Sequence, residues 1–333
     1  MRLLFELSGE HPTLPAAEAE AVGAAVDPDC RRFLSEPGLL GLELPRRRDF
    51  PLERLAYTHA IHKHLFSCPV EIAEEMLRSV RLGDGSVCLR VRNIGSSLSG
   101  PEKVALEKLL GGVLGERHKI NLTRPDIQVR VFVSDKAHLG LTLIEQDKRA
   151  IDGRRPAKRP FFSPITLHPK LARALVNLSR VPNGGRVLDP FCGTGGILIE
   201  AGLMGMRVAG SDLEWTMVEG ARQNLQHYGI TEARLFQSDI GEVPLSIGEI
   251  EVDAVVTDAP YGRASGTRGE KVARIYGRLF GTASSLLGSG KRLVVAVHDP
   301  ALMPAHGDFR LVQSFECRVH RSLTRHLMVF EKR

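Results

Sequence analysis

The chain has 333 residues, 43% of them hydrophobic, with a formal net charge of +6 and five cysteines. Such a chain can bury two or three domain cores, and its apolar content argues against large-scale disorder. Cys30, Cys68, Cys88, Cys192 and Cys317 lie far apart with no CxxC pair, which argues against a zinc site or a disulfide framework, so no metal is expected. No apolar run reaches the length of a membrane span and the first residues lack the pattern of a signal peptide, so a cytoplasmic setting is expected, with no membrane partner.

In chain order, RLLFEL (2–7) alternates like an edge strand and PAAEAEAVGAAV reads as a helix. Residues 1–30 carry one basic and six acidic side chains, and the first basic cluster follows at Arg46, Arg47 and Arg48. LERLAYTHAIHKHLF (52–66) and PEKVALEKLLGGVLG (101–115) have helical spacing. VCLRVRN (87–93), DIQVRVFV (126–133) and HLGLTLIE (138–145) read as strands, so this half is α+β. QDKRAIDGRRPAKRP (146–160) is polar and broken by Gly and Pro, which predicts an interdomain linker. Its cations, Arg154, Arg155, Lys158 and Arg159, either contact phosphate or simply face water.

After residue 160, apolar β-like runs alternate with amphipathic helices. The runs are RVLDPF (186–191), RVAGSD (207–212), ARLFQSD (233–239), VDAVVTDAP (252–260) and RLVVAVHD (292–299). Helical stretches surround 169–180, 195–204, 214–227 and 270–287. This pattern predicts an α/β domain with a mostly parallel sheet covered on both faces.

The strongest local signal is the strand-to-helix turn Asp189-Pro190-Phe191-Cys192-Gly193-Thr194-Gly195-Gly196. It has no lysine for a phosphate-binding Walker loop, and Leu198 stands where a dinucleotide fingerprint needs its third glycine. A carboxylate ahead of glycines suits a cationic ligand, and S-adenosylmethionine carries an ammonium and a sulfonium. Asp212 ends the next strand 19 residues after Gly193, close to the spacing that places a carboxylate on ribose hydroxyls. A strand-end Asp can equally be a helix N-cap, and this applies still more to Asp239. As a ligand residue Asp239 would accept from an adenine amine, with Ile240 against the ring.

The fourth strand ends in Asp258-Ala259-Pro260-Tyr261-Gly262, at the crevice where doubly wound sheets hold ligands. An exocyclic amine is a poor nucleophile because its lone pair is delocalised into the ring. A carboxylate and a backbone carbonyl accepting its two N–H groups orient it and offset the charge that develops. Tyr261 would stack on the base.

DPFCGTGG…SDL…SDI…DAPYG resembles the Rossmann-like class I amino-methyltransferases with an (Asp/Asn)-Pro-Pro-(Tyr/Phe) motif. The resemblance places Asp258, Pro260 and Tyr261 on the catalytic motif, with Ala259 replacing its first proline. It places Asp189, Gly193, Gly195, Asp212 and Asp239 on cofactor positions; Phe191, Thr194, Leu213, Ile240 and Asp258 complete the expected cofactor set. LLFELSGEHP (3–12), SPITLHPKLARALVNLS (163–179) and VHRSLTRHLMVFEK (319–332) narrow it to a resemblance to archaeal tRNA guanine-N2 methyltransferases acting at position 10.

That family implies a ferredoxin-like segment (1–50), a THUMP RNA-binding domain (51–145), a linker (146–160) and a methyltransferase domain (161–333) whose sheet ends in an antiparallel strand. It implies S-adenosylmethionine as cofactor and tRNA as partner. Arg321 and Arg325 then become candidate phosphate contacts beside the linker cations. A monomer is expected. The alternatives are another tRNA or rRNA guanine, adenine-N6 methylation of DNA, and an inactive RNA-binding protein.

Overall fold

A computed structural model describes residues 1–46, 49–94, 98–163, 166–260, 270–320 and 323–333. The chain divides into two compact units, residues 1–53 with 57–146, and residues 54–56 with 147–333.

The first unit contains β1 (Arg2–Leu7), α1 (Leu14–Val26), β2 (Arg31–Glu36), β3 (Leu39–Glu43), β4 (Thr58–Cys68), α2 (Ala73–Ser79), β5 (Val87–Asn93), α3 (Gly100–Gly115), β6 (Ile127–Val133) and β7 (Ala137–Glu145). Among the described residues its strands form one sheet in the order β2-β3-β1-β4-β7-β6-β5, so residues on both sides of position 50 share it. β5 and β6 pair in parallel. α3 starts at a capping box, with Ser99 accepting from the Glu102 N–H and Glu102 accepting from the Ser99 N–H.

Two expectations are corrected here. β1 is an interior strand, because the unforeseen β2–β3 hairpin pairs along the side opposite β4. The helix expected over 52–66 is instead a 3-10 turn at Leu52–Arg54 followed by β4. Within β4, His62 is fully buried between Thr142, which its Nδ1 meets at 3.0 Å, and the Phe132 ring. Burial lowers the His62 pKa to about 3, so the ring stays neutral.

The second unit contains α4 (Lys148–Asp152), α5 (Pro169–Leu178), β8 (Arg186–Asp189), α6 (Gly196–Leu203), β9 (Arg207–Asp212), α7 (Trp215–His227), β10 (Arg234–Gln237), α8 (Val243–Ile247), β11 (Ala254–Asp258), α9 (Val272–Leu286), β12 (Arg292–Val297), β13 (Phe309–His320) and β14 (Leu323–Lys332). Its sheet runs β10-β9-β8-β11-β12-β14-β13. β10, β9, β8, β11 and β12 run parallel to one another, while β14 is antiparallel to β12, as expected for the C-terminal strand, and β13 is antiparallel to β14. The strand order reverses between β8 and β11, which opens a crevice at their carboxyl ends. Ala283, Phe280 and Tyr276 of α9 pack on Val255, Leu293 and Val295, and this core fixes β11 against β12.

Residues 147–160 do not form a free linker. They fold into α4 and a 3-10 turn, and belong to the second unit. The anchor is Glu200 of α6, which is fully buried and accepts from Arg154 Nε at 2.7 Å, Arg154 Nη2 at 2.9 Å and Arg173 Nε at 2.9 Å. A buried carboxylate shared by two guanidiniums resists loss of one partner far more than it adds net stability. Glu200→Ala leaves both cations unneutralised and is expected to destabilise this unit by about 3–5 kcal/mol. Thermal unfolding of the full chain checks this, and an unchanged midpoint would contradict it.

Candidate active site at the switch point

β8 ends at Asp189, and the chain then turns through Gly193 (φ +50°) and Gly195 (φ +80°) into α6. Left-handed backbone favours glycine, and a Cβ on Gly195 would also come within 3.2 Å of Ala221. The loop is braced from behind by Asn224 of α7. Its fully buried amide donates to the carbonyls of Thr194 and Phe161 at 2.9 Å each and accepts from the Phe161 N–H at 2.9 Å. Sequence reasoning missed Asn224; the available signal was a polar residue on the apolar stripe of an amphipathic helix.

Three strand-end carboxylates line the crevice floor. Asp189 is 2% exposed, and its Oδ1 accepts from the Thr257 hydroxyl at 2.6 Å and the Phe191 N–H at 3.1 Å. Burial raises its pKa to about 7, against those two hydrogen bonds. Asp212 accepts from the Gly193 N–H at 3.0 Å through Oδ2 and from the Glu214 N–H at 3.0 Å through Oδ1. Burial raises its pKa as well. Both carboxylates take neutral donors only, among the described residues, and each retains lone pairs for further donors. Thr257 was not singled out from sequence, although a hydroxyl one residue before the strand-end Asp258 faces the neighbouring strand.

Asp258 ends β11. Its Oδ2 meets Arg325 Nη2 of β14 at 3.2 Å, while Oδ1 is buried with no hydrogen-bond partner among the described residues. Burial raises the Asp258 pKa and the Arg325 guanidinium lowers it. Ala259 is fully buried and ties β11 to β12 by donating to the Ala296 carbonyl at 3.1 Å. Its own carbonyl precedes Pro260. Tyr261 lies outside the described residues, as does Arg321.

The remaining candidates divide. Phe191 is half-buried against the α9 core. Thr194 is buried, with its hydroxyl 3.4 Å from that of Thr166. Leu213 is half-buried beside Asp212. Asp239 accepts from the Gly241 N–H at 2.9 Å and pairs with Arg278, so it already serves a turn and an ion pair. Ile240 is 4% exposed within the core.

Arg155 and Lys158 are surface side chains, the former paired with Asp152 at 3.1 Å. Three of the expected phosphate contacts have protein partners and little exposure. Arg154 is committed to Glu200. Arg159 is 5% exposed, packed over Gly196 with its Nε donating to the Arg154 carbonyl at 3.0 Å. Arg325 is 5% exposed against Asp258. All three read as surface charge in sequence because nothing local marks a tertiary carboxylate partner or burial.

The donor chemistry fits a cation. A buried carboxylate, Asp189, and a half-buried one, Asp212, both with raised pKa values, flank a glycine turn that leaves room for a ligand, where a phosphate would be repelled. A doubly wound sheet with such a crevice is the architecture of a class I, Rossmann-like methyltransferase, which takes its methyl group from S-adenosylmethionine. Residues 156–326, just over half of the chain, match the family described as "RMKL-like, methyltransferase domain".

The chain is 38% identical, over all of both chains, to the tRNA (guanine(10)-N2)-dimethyltransferase of Methanothermobacter thermautotrophicus. It is 35% identical to the Pyrococcus abyssi protein of the same name, over 68% of this chain and 69% of that one. The crystal structure of TrmN from Thermus thermophilus has the same fold over the whole of both chains, with a TM-score of 0.54 at 24% identity. The chain therefore belongs to the RMKL-like family of class I methyltransferases.

The raised Asp189 pKa has a sign that binding can test. Between the unfolded value near 3.8 and the folded value of about 7, the native state holds the extra proton, so this group stabilises the free protein at low pH and loses that contribution as pH rises. A bound cation favours the ionised form. S-adenosylmethionine affinity is therefore expected to fall by up to about tenfold per pH unit below pH 7, with proton release on binding. Calorimetry in buffers of different ionisation enthalpy measures both, and Asp189→Asn should flatten the dependence. Constant affinity between pH 5.5 and 8.5 would contradict the assignment.

Proposed function

We propose that the chain methylates the exocyclic N2 amine of a guanosine in tRNA, at position 10, forming N2-methylguanosine and then N2,N2-dimethylguanosine. The observation that carries this reading is Asp258 at the end of β11, whose buried Oδ1 is left to accept a hydrogen bond at the crevice. The substrate reading is supported by the two archaeal tRNA (guanine(10)-N2)-dimethyltransferases, one of which is similar over its whole length. The first unit, with β4 to β7 as the proposed THUMP domain, is the RNA-docking part, and cytoplasm is the proposed location. Arg155 and Lys158 remain candidate phosphate contacts.

S-adenosylmethionine, when bound, supplies the sulfonium methyl carbon, with the C–S electron pair remaining on sulfur as a neutral thioether. Asp189 and Asp212 would hold the cofactor's cationic and hydroxyl groups across the glycine turn; for Asp239 to meet the adenine, it would have to give up part of its pairing with Gly241 and Arg278. Asp258 Oδ1 accepts one N–H of the guanine amine and the Ala259 carbonyl accepts the other. This turns the nitrogen lone pair toward the methyl group and offsets the positive charge formed as the C–N bond is made. Pro260 fixes the turn, and Tyr261 is assigned to stacking on the base. The excess proton leaves the nitrogen by way of Asp258 to solvent. A monomethylated amine retains one N–H, so Asp258 can accept it again for a second transfer.

The N2 amine of a paired guanine lies within the stem, so the nucleotide must be extruded or caught unpaired. A separate docking unit suits that requirement. Ala259 keeps the acceptor carbonyl that the family's proline would supply, so activity is retained.

Incubating the protein with labelled S-adenosylmethionine and tRNA transcripts, then digesting to nucleosides, is expected to give label in N2-methylguanosine first and dimethylguanosine later. Label confined to methyladenosine would overturn the reading. Asp258→Ala should reduce turnover by at least about a hundredfold, as for loss of one preorganised charge contact, with tRNA affinity little changed.

A further inference from the structure

We infer that Arg325 is a positioning residue for methyl transfer, holding the Asp258 carboxylate by Oδ2 so that Oδ1 is presented to the target amine. The inference rests on the assignment of Asp258 above and extends it to a side chain on the antiparallel C-terminal hairpin.

Strand register carries the geometry. Asp258 lies beside Ala296 of β12, and Ala296 lies beside Leu327 of β14, so the three side chains share a face of the sheet. Arg325 is two residues from Leu327 and therefore on that face. Because β14 runs antiparallel, it stands further toward the carboxyl ends of the parallel strands. Its guanidinium reaches back across β12, where Ala296 presents only a methyl group, and meets Asp258 at 3.2 Å with the two side chains 6% and 17% exposed. The antiparallel strand, which closes the sheet beyond its parallel part, thus brings a cation to the crevice without using a loop.

A carboxylate placed there with no cation would be driven toward its neutral form by burial. A neutral carboxyl could rotate and would offset less of the charge developing on nitrogen. Among the described residues, Asp189 on β8 feels the charge of Asp258, and two imidazoles on neighbouring elements have partners of their own. His298, beyond β12, bonds the Thr324 carbonyl at 3.2 Å, and His168, opening α5, stands 3.7 Å from Asp152. Arg325 is thus the cation that meets Asp258 among the described residues.

The test is single-turnover methyl transfer against pH, with cofactor and tRNA affinities measured separately, for wild type, Arg325→Met, Arg325→Lys and Asp258→Asn. Arg325→Met is expected to bind tRNA and cofactor within about twofold of wild type, yet to transfer methyl about a hundredfold more slowly. The acid limb of its rate profile should move up by about one pH unit or more. Arg325→Lys keeps the charge but not the planar fork, so its limb should return toward wild type while the rate recovers only in part.

An unchanged rate and profile in Arg325→Met, or a defect confined to tRNA affinity, would overturn the inference, and the latter would return Arg325 to phosphate contact. If Arg325→Met does not fold, Arg325→Lys decides: a wild-type rate contradicts the positioning role, and a reduced rate with unmoved affinities supports it. Asp258→Asn separates the two levels. Full activity there removes the underlying assignment, whereas an inactive Asp258→Asn beside wild-type-like Arg325 variants removes only the role of Arg325.

Discussion

Carboxylates collected at the carboxyl ends of parallel strands, in a place that water reaches poorly, constrain everything else in the second unit. Asp189, Asp212 and Asp258 each lose hydration there, and each has its pKa raised by burial. A fold bears such a concentration of charge only with compensation. The backbone N–H groups of Gly193 and Glu214 serve Asp212, Thr257 serves Asp189, and Arg325 serves Asp258. The compensation is partial, which leaves the crevice suited to a cation and to an amine that becomes one.

The supports come from distant parts of the chain. Asn224 on α7 fastens the loop carbonyl at Thr194 and the backbone of Phe161 together, joining the segment before α5 to the glycine turn. Glu200 on α6 draws in Arg154 and Arg173, so the stretch after β7 is part of the scaffold behind the loop. β14 pairs with β12 and places Arg325 on the face of Asp258. Each contact fixes a short polar loop by attaching it to a buried helix or strand, which is how a rigid site is made from turns.

The methyltransferase fold was legible in the sequence because its strands are short apolar runs separated by helices of strong period, and the site was legible where residues act close to their own turn. Asp189, Asp212 and Asp258 end strands that the apolar runs locate, and Gly193 and Gly195 lie in the turn that follows the first of them. Side chains working through tertiary contacts were not legible. Arg154, Arg159 and Arg325 looked like surface cations because their carboxylate partners or burial are set by residues 5 to 67 positions away. The stretch over β4 was read as a helix although it pairs as a strand, and β1 as an edge because β2, where Arg31, Arg32 and Glu36 outnumber Phe33 and Leu34, carries little apolar signal.

The claim at the centre is that Asp258 and the Ala259 carbonyl act on the N2 amine of one guanine. Replacing the guanosine at position 10 of an otherwise unmodified tRNA by inosine removes that amine and nothing else from the base. Methyl transfer to this tRNA should vanish, while the inosine tRNA still competes for binding with its guanosine counterpart. Undiminished methyl incorporation into the inosine tRNA would contradict the account.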